Sequence, residues 1–340
     1  MNPDHQPHRD TGMTNTLRRI RNSLLAGVAV FLCISSAVAQ PISKPANYPT
    51  RAIELVVPFG VGGGVDALCR TLAPLLEKRL GVSVAVVNKP GGNSVVAMNY
   101  VTSQPADGYT LTGVTNDILA AIAGGSTKLT VDDLVWLTRA LPDIEMFFMR
   151  ANETRFKTFD EYVAYAKANP GKLSMAVAGA GGMEQIVATL VNQAAGVSIK
   201  YVPYDVPTER YAALLGGHTD LLLKEPADMK QYLDEGRVKV LIQMIDKRPP
   251  QFADVPTSVE KGINVTMGLW RGLGMKAGTP PEITNYLYAV IKDAMNDPAY
   301  LEFKKKRGQV RPDYVETPEQ FKENAKKELE AIREARKAMR

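Results

Sequence analysis

The feature that most constrains the fold is an order of segments that occurs twice: a short apolar run, a glycine-rich loop and an amphipathic helix. In the first half, the run Ile53–Val57 is followed by the loop Gly60–Gly64 and by a helical pattern from Asp66 to Leu80. The same order recurs over residues 173–195. Strand-length runs that alternate with helices are typical of α/β proteins with a mostly parallel sheet. We therefore predict two α/β lobes that face one another, with a glycine loop and a helix start from each lobe at the cleft between them.

Composition and charge exclude several classes of protein. The chain has 340 residues, of which 45% are hydrophobic and 23% charged, which excludes intrinsic disorder, a collagen-like repeat and a polytopic membrane protein. The formal net charge is +5, of which residues 1–39 contribute +2. The remaining +3 is too weak a bias to indicate a nucleic acid as partner.

Residues 1–39 have the pattern of a secretory signal peptide. The basic residues within positions 18–21 precede the apolar run Leu24–Cys33, and the small residues of Ala37–Ala39 suit cleavage. This run is too short to favour a membrane span, although a retained anchor helix is the alternative interpretation. Met13 is an alternative start. We expect cleavage near the end of this segment and a mature chain that works outside the cytoplasm.

Few groups suited to catalysis or metal binding remain once the signal is removed. Cys69 is then the one cysteine, so no disulfide framework is expected, and its place among leucines at helical spacing indicates a buried thiol. His218 is then the one histidine; it lies in a polar turn, and no G-x-S-x-G motif accompanies it. No Cys/His spacing resembles a zinc site. We therefore expect neither an enzyme nor a metal centre.

The two glycine loops are candidate anion sites. Glycines allow several backbone N–H groups to converge, and the first turn of a helix adds unpaired donors and the positive end of its dipole. Two facing loops favour a dicarboxylate, a monocarboxylate with a polar far end, or a phosphate. Close packing of helix on strand, without any ligand, is the alternative. A nucleotide site is not favoured, because the loop Gly60–Gly64 has neither Gly-x-Gly-x-x-Gly spacing nor a P-loop ending.

Short motifs distributed over the mature chain carry a family resemblance. They are, in chain order, Tyr48–Arg51, Ile53–Phe59 with Gly62, Gly63 and Asp66, Val87–Gly92, Asp107–Thr110, Val202–Tyr204, Ala213–Gly217, Asp254–Thr257, Trp270 with Gly272, and Ala277–Pro280. As a set they resemble the Bug family, the exported substrate-binding proteins of tripartite tricarboxylate transporters.

The resemblance implies a periplasmic receptor of the two-lobed, type II (Venus flytrap) kind that uses no cofactor. It implies one lobe over residues 40–149 with 268–340 and a second over 150–267. In the family, main-chain amides and ordered waters of two loops, which match Pro58–Asp66 and Gly179–Gln185 here, hold a small organic carboxylate. The ligand then passes to a membrane permease of one large and one small subunit. We expect a monomeric receptor for an aromatic or dicarboxylic acid.

The first glycine loop departs from the family pattern. Gly60, Val61, Gly64 and Val65 replace prolines and a Ser or Thr that usually precede the acidic residue. Backbone N–H groups are therefore the main donors expected there, and the wall is more apolar.

The second loop departs in charge. Gly182, Met183 and Glu184 stand where a Ser or Thr and a His are frequent, and Glu184 would repel a carboxylate unless a cation compensates. Lys224, which ends an apolar strand, is the candidate cation. It either contacts the ligand or forms a salt bridge to Glu184 or Glu225, and the sequence does not choose between these roles.

The predicted ligand-binding residues lie on both loops and beside them. Phe59 and Tyr204 are included because each adjoins a loop at the predicted cleft. The full set is Phe59, Gly60, Val61, Gly62, Gly63, Gly64 and Asp66 from the first lobe, and Ala180, Gly181, Gly182, Met183, Glu184, Tyr204 and Lys224 from the second.

Two other functions are compatible with the same residues. A receptor whose closed form docks on a sensor kinase would need the same cleft. An exported enzyme is the other alternative, although no paired-carboxylate, metal or triad motif supports it.

Overall fold

The structure is a computed structural model that describes residues 44–307 and 316–338. The predicted signal peptide lies outside the described residues. Within those residues, none of the helices combines the length and apolarity needed to cross a membrane.

Strands in the described part of the chain form two five-stranded sheets. Their bounds are β1 (Ile53–Val57), β2 (Val84–Asn88), β3 (Thr110–Thr115), β4 (Leu134–Pro142), β5 (Met146–Arg150), β6 (Ser174–Ala178), β7 (Lys200–Tyr204), β8 (Leu221–Lys224), β9 (Val238–Gln243) and β10 (Trp270–Lys276).

Helices cover the sheets. Their bounds are α1 (Gly64–Leu80), α2 (Val95–Ser103), α3 (Asp117–Ala123), α4 (Phe159–Ala168), α5 (Met183–Ala195), α6 (Pro207–Leu215), α7 (Pro226–Asp234), α8 (Pro281–Ala294), α9 (Pro298–Lys306) and α10 (Pro318–Ala338). Short 3₁₀ turns occur at Val131–Asp133 and Pro250–Phe252.

The two sheets share one design. The first has the order β2-β1-β3-β10-β4, in which β1 pairs in parallel with β2 and β3 while β10 runs antiparallel to both its neighbours. The second has the order β7-β6-β8-β5-β9, with β6 parallel to β7 and β8, and β5 antiparallel to β8 and β9. Together with the helices, this architecture confirms the predicted α/β class with two mixed sheets.

The chain crosses between the two sheets twice, and each crossing supplies a strand, β5 or β10, that runs antiparallel to both its neighbours. β5 follows β4 of the first sheet after a short crossing at residues 143–145, yet it pairs in the second sheet. The predicted range of the first lobe includes residues 146–149, whereas these residues belong to a strand of the second sheet. β10 returns from the second half to the first sheet, and the N–H of Asp143 donates to the carbonyl of Leu269 at 2.9 Å, so the two crossing segments touch. The ranges of the two lobes remain a prediction.

Glycines set the starts and ends of the helices that point at the cleft. Gly63 and Gly182, both in extended conformation, are the N-cap residues of α1 and α5. Gly81 and Gly196 end the same helices in the left-handed region, with φ of 76° and 69°, where a side chain is disfavoured. The sequence pattern therefore places two helix starts at corresponding places in the two lobes. Their glycine N-cap residues supply no side-chain cap, and the first N–H groups of a helix have no intrahelical partner.

Apolar packing joins the lobes. One buried cluster extends from Trp136 and Phe321 beside the first sheet to Phe147 and Tyr162 beside the second. The outer faces of the two sheets are buried in separate clusters. One continuous apolar core thus extends beneath the cleft between the two glycine loops. Packing in this core fixes the positions of the strand ends around the cleft.

Candidate functional site

A small cavity lies between the two glycine loops. Its volume is about 30 Å³, room for about one water molecule. Residues of both lobes line it, together with Leu269 of the segment through which the chain returns to the first sheet before β10. They are Phe59, Gly63, Gly64, Val65, Thr115, Asp117 and Arg271 from the first, Ala178, Glu184, Pro207, Arg210 and Lys224 from the second, and Leu269 from the crossing segment.

The first glycine loop is shaped by Asp66. The N–H of Gly62, whose φ is +86°, donates to Asp66 Oδ2 at 3.1 Å, and Arg70 and Asn88 donate to the same carboxylate. Burial acts to raise the pKa of Asp66, but the hydrogen bonds from Arg70, Asn88 and Gly62 outweigh it and lower that pKa. Asp66 therefore holds the loop in place and does not line the cavity.

The second glycine loop is bound by side chains of other elements. The N–H of Met183, at the start of α5, donates to Asp117 Oδ1 of the first lobe at 3.0 Å. Asn93 Nδ2 donates to the carbonyl of Ala180 at 2.7 Å, and Arg336 Nη1 of α10 donates to the carbonyl of Gly181 at 3.1 Å. The first lobe and the last helix therefore both form hydrogen bonds to the second lobe at this loop.

Glu184 has the compensating cation that the sequence analysis required, but its main partner is a different residue. Arg210 Nη1 lies 2.6 Å from Glu184 Oε1, whereas Lys224 Nζ lies 3.4 Å from the same atom. The N–H of Ala178 donates to Glu184 Oε2 at 2.6 Å. Arg210, on α6, was not among the predicted site residues.

Lys224 is surrounded by carboxylates. Its Nζ pairs with Glu225, with Asp228 Oδ2 at 3.3 Å and with Glu184. Burial would lower the pKa of Lys224, but Glu225, Glu184 and Asp228 together raise it above its ordinary value. The salt-bridge alternative left open by the sequence is thus present, and Lys224 also lines the cavity.

Arg271 links the lobes from β10. Its Nη1 donates to Asp143 Oδ2 at 2.8 Å in the crossing segment, and its Nη2 donates to Glu225 Oε1 at 2.6 Å in the second lobe. Gly64 makes room for it, since an ideal Cβ at Gly64 would lie 2.5 Å from the guanidinium. Arg307 is a further cation beside these carboxylates, and its Nη2 donates to Asp228 Oδ1 at 2.7 Å.

Together these groups form what we call the charged network, which stands in and behind the cavity wall. Among the described residues it contains six carboxyl groups and four cations. The carboxyl groups are Asp117, Asp143, Glu145, Glu184, Glu225 and Asp228, and the cations are Arg210, Lys224, Arg271 and Arg307.

Some polar atoms of the charged network are buried without a hydrogen-bond partner among the described residues. They include Nε of Arg210, Nε of Arg271 and both carboxylate oxygens of Glu145. Burial, together with nearby Glu184 and Glu225, raises the pKa of Glu145 well above its ordinary value. A buried donor left unpaired costs free energy, which an acceptor placed beside it would recover.

The structure brings part of the predicted site together. Phe59, Gly63, Gly64, Glu184 and Lys224 line the cavity. The other predicted residues shape the loops or lie away from the cavity wall. They are Gly60, Val61, Gly62 and Asp66 in the first loop, Ala180, Gly181, Gly182 and Met183 in the second, and Tyr204 at the end of β7.

Three charged residues that line the cavity, Asp117, Arg210 and Arg271, were not among the predicted site residues. A signal for Arg271 was present, because it is the charged residue of a strand that otherwise reads Trp-Gly-Leu-Gly-Met before its last lysine. Asp117 lies two residues after Thr115, the last residue of β3, where residues of a parallel strand reach the cleft. Arg210 has a helical surface pattern, and no local feature distinguishes it.

Metal and thiol chemistry are not indicated in the described part of the chain. No group of three or more His, Cys, Asp or Glu side chains there is arranged to hold a metal ion. Cys69 is buried in α1 as predicted, and burial raises the pKa of its thiol, so it is unreactive.

Comparison with known proteins identifies the family. Residues 68–336 match the sequence profile described as tripartite tricarboxylate transporter family receptor. The chain belongs to this family. The UPF0065 protein in the gbd 5' region of Cupriavidus necator is 33% identical over 281 residues, covering 82% of this chain and 85% of that protein. BugT of Bordetella pertussis is 27% identical over 286 residues, covering 82% and 86%.

Solved structures agree with this assignment. MatC from Rhodopseudomonas palustris, with bound malate, is 25% identical, with a TM-score of 0.78 over 85% of this chain and 99% of that one. The periplasmic binding protein BugD is 25% identical, with a TM-score of 0.77 over 86% and 98%. The protein is therefore a two-lobed solute-binding receptor of the tripartite tricarboxylate transporter family, and the resemblance to the Bug proteins is confirmed.

Proposed function

We propose that this receptor is exported to the periplasm, closes on a small organic carboxylate and delivers it to a tripartite permease. The observation that carries the proposal is the pair Arg210 and Arg271. They come from opposite lobes, line one cavity, and each keeps a buried Nε–H without a partner in the described part of the chain. A carboxylate between the lobes would accept from both, and charge-assisted hydrogen bonds of this kind are strong.

Two features of the fold support capture by closure. The cavity is far smaller than the several hundred Å³ typical of ligand pockets, so the lobes must part to admit a ligand. Contacts that cross the cleft, such as Met183 to Asp117 and Arg271 to Glu225, are made only when the lobes are together. A ligand that adds cross-cleft contacts shifts the population toward the closed form, and the permease must favour the open one.

The proposed binding surface combines predicted and newly found residues. Phe59, Gly63, Gly64, Glu184 and Lys224 form its wall, and the remaining predicted loop residues and Tyr204 shape it. Asp117, Arg210 and Arg271 complete the surface. We propose an aromatic or dicarboxylic acid as the broad ligand class and a monomeric receptor without cofactor or enzymatic activity. We also propose lobes over residues 40–149 with 268–340 and over 150–267, with β5 at that boundary pairing in the second sheet.

The decisive test is a thermal-shift screen with a panel of aromatic, dicarboxylic and amino-acid carboxylates, followed by calorimetric titration of those that stabilise the protein. A bound ligand raises the melting temperature by mass action. Mass spectrometry of ligand released from the purified receptor identifies the natural one. If no carboxylate stabilises the protein or co-purifies with it, the proposed function is wrong.

A variant sharpens this test. Arg271→Lys keeps a positive charge near Asp143 and Glu225 but removes the Nε–H. We expect ligand affinity to fall on the order of tenfold to a hundredfold, the usual loss for a hydrogen bond to a charged group. Lys230→Ala, which removes a cation from the exposed face of α7, is the control and should leave affinity unchanged.

A further inference from the structure

A carboxylate of the protein occupies the helix-start amide at which a ligand carboxylate was expected. Asp117, in the first turn of α3, is 3% exposed and lines the cavity. Its Oδ1 accepts from the N–H of Met183 at 3.0 Å, and its Oδ2 accepts from Thr115 Oγ1 at 3.0 Å. The first lobe thus places its own anion on the start of α5 in the second lobe.

The cavity wall also lacks spare positive charge. Each cation of the charged network that lines the cavity is already paired: Arg210 with Glu184, Lys224 with Glu225, and Arg271 with Asp143 and Glu225. Carboxyl groups outnumber cations in this network, as counted among the described residues. Burial, with nearby Glu184, already raises the pKa of Asp117. A further anion beside Asp117 would therefore lie close to the like charges of Asp117 and Glu184, a juxtaposition that is unfavourable at an interface.

One anionic group of a ligand nevertheless finds donors. Nε of Arg210 and Nε of Arg271 are buried polar atoms of cavity-lining residues, without partners among the described residues. They suit one carboxylate. A second carboxylate would compete with Asp117 for the Met183 N–H or lie against Asp117 and Glu184.

We propose that Asp117 is a specificity-determining residue that restricts the site to ligands with a single carboxylate and excludes dianions. This inference rests on the proposed function and narrows its ligand class. The end of an accepted ligand that lies opposite its carboxylate is neutral or bears an N–H group, which can donate a hydrogen bond to Asp117. The selection acts by a built-in repulsive element as well as by attraction to the accepted ligand.

Matched ligand pairs test the proposal. Succinate, adipate and terephthalate are each compared with the corresponding half-amide, in which a CONH₂ group replaces one carboxylate at nearly equal size. Calorimetric titration of the full receptor at pH 7.5 measures both members of each pair. We expect the half-amide of the pair that fits the site to bind on the order of tenfold more tightly than the dianion, because like-charge juxtaposition is costly.

The variant Asp117→Asn keeps the shape of the side chain and an oxygen that accepts from the Met183 N–H. We expect it to abolish or reverse the preference for the half-amide. Asp132→Asn, which removes an exposed carboxylate that pairs with Lys322, is the matched control and should keep the wild-type preference.

The outcomes separate the two claims. If half-amides and dianions bind the wild-type receptor equally, or if dianions bind better, the proposed role of Asp117 is wrong. The proposed function as a carboxylate receptor is not affected by that result. An unchanged preference in Asp117→Asn likewise overturns the role of Asp117. If no member of any pair, and no other carboxylate of the panel, binds, the proposed function fails and this proposal with it. Should Asp117→Asn not fold, the wild-type comparison of the pairs still decides.

Discussion

Glu184 and Arg210 form an ion pair that is closed off from solvent inside the second lobe. Arg210 Nη1 lies 2.6 Å from Glu184 Oε1, and the two side chains are 1% and 5% exposed respectively. Glu184 stands in the first turn of α5 and Arg210 in α6, so the pair joins two helices that begin at the cavity. A buried pair of this kind adds little net stability as a pair, yet losing one partner is costly because the other charge is left uncompensated.

Breaking this pair on one side should destabilise the fold. We expect Arg210→Met to lower the free energy of unfolding by about 3 to 5 kcal/mol. Combining it with Glu184→Gln should recover part of the loss, since no charge is then stranded. Urea unfolding at pH 7 measures both variants. Lys230→Met, which breaks an exposed pair with Asp234, is the control, and a loss for Arg210→Met no larger than for this control would contradict the argument.

The last helix should help to hold the lobes together. Arg336 Nη1 donates to the carbonyl of Gly181 at 3.1 Å. We expect Arg336→Ala to raise the open population of the ligand-free receptor about fivefold, since one hydrogen bond contributes about 1 kcal/mol, with little effect on unfolding. Small-angle X-ray scattering should show a larger radius of gyration. Arg333→Ala, on the same helix, serves as the comparison, because Arg333 pairs with Glu330 at the surface. Identical scattering profiles for the two variants would refute this role.

Gly64 should not tolerate a side chain. Its ideal Cβ would lie 2.5 Å from three atoms of the Arg271 guanidinium, which is itself held by Asp143 and Glu225. We expect Gly64→Ala to cost about 1 to 3 kcal/mol of stability by overpacking and to weaken carboxylate binding. In Gly60→Ala the nearest atom, Pro207 Cδ, is 3.5 Å away, so its stability should match the wild type. Equal stability of both variants in thermal unfolding would show that Arg271 can shift without cost.

Glu153 should make stability depend on pH in the acid range. Hydrogen bonds from Arg155, at 2.8 and 2.6 Å, lower the pKa of Glu153 from its ordinary value of 4.5 to about 2. Because the unfolded chain binds the proton first, the stabilisation is complete above pH 4.5 and is lost as pH falls toward 2. Denaturant unfolding between pH 6 and about 2.5 should show the wild type and Glu153→Gln converging as pH falls. Curves that stay parallel would contradict the assigned coupling.

Much of the fold could be predicted from local sequence. β1 has the predicted bounds, Ile53–Val57, and β6 and α5 both lie within residues 173–195, where a strand, a glycine loop and a helix were predicted. Their apolar patterns are strong and their neighbours are helix-ending or turn-forming residues. Thr158–Glu161 also has the sequence of a capping box, and in the structure the Thr158 side chain accepts from the N–H of Glu161 at 3.2 Å.

What local sequence did not predict depends on distant partners. β4, Leu134–Pro142, was not assigned from the sequence. Within the described residues its one partner strand is β10, which lies more than a hundred residues later. The site shows the same limit. Glu184 and Lys224 were both selected from their loop and strand positions, and the fold brings them to 3.4 Å. Arg210 follows an ordinary helix pattern, and Arg271 is a single charge inside an apolar strand; only the tertiary structure brings the two side chains to one cavity.

The path of the chain through its two sheets has a consequence for the order in which they can be completed. Four strands of the first sheet, β1 to β4, are complete once the chain reaches Pro142. The fifth strand, β10, lies between β3 and β4 in the sheet and is complete only at residue 276. Every strand of the second sheet lies between residues 146 and 243. In a chain that emerges from its N-terminus, the later half can finish its sheet first, while the earlier half waits with β4 unpaired and its apolar residues available to chaperones.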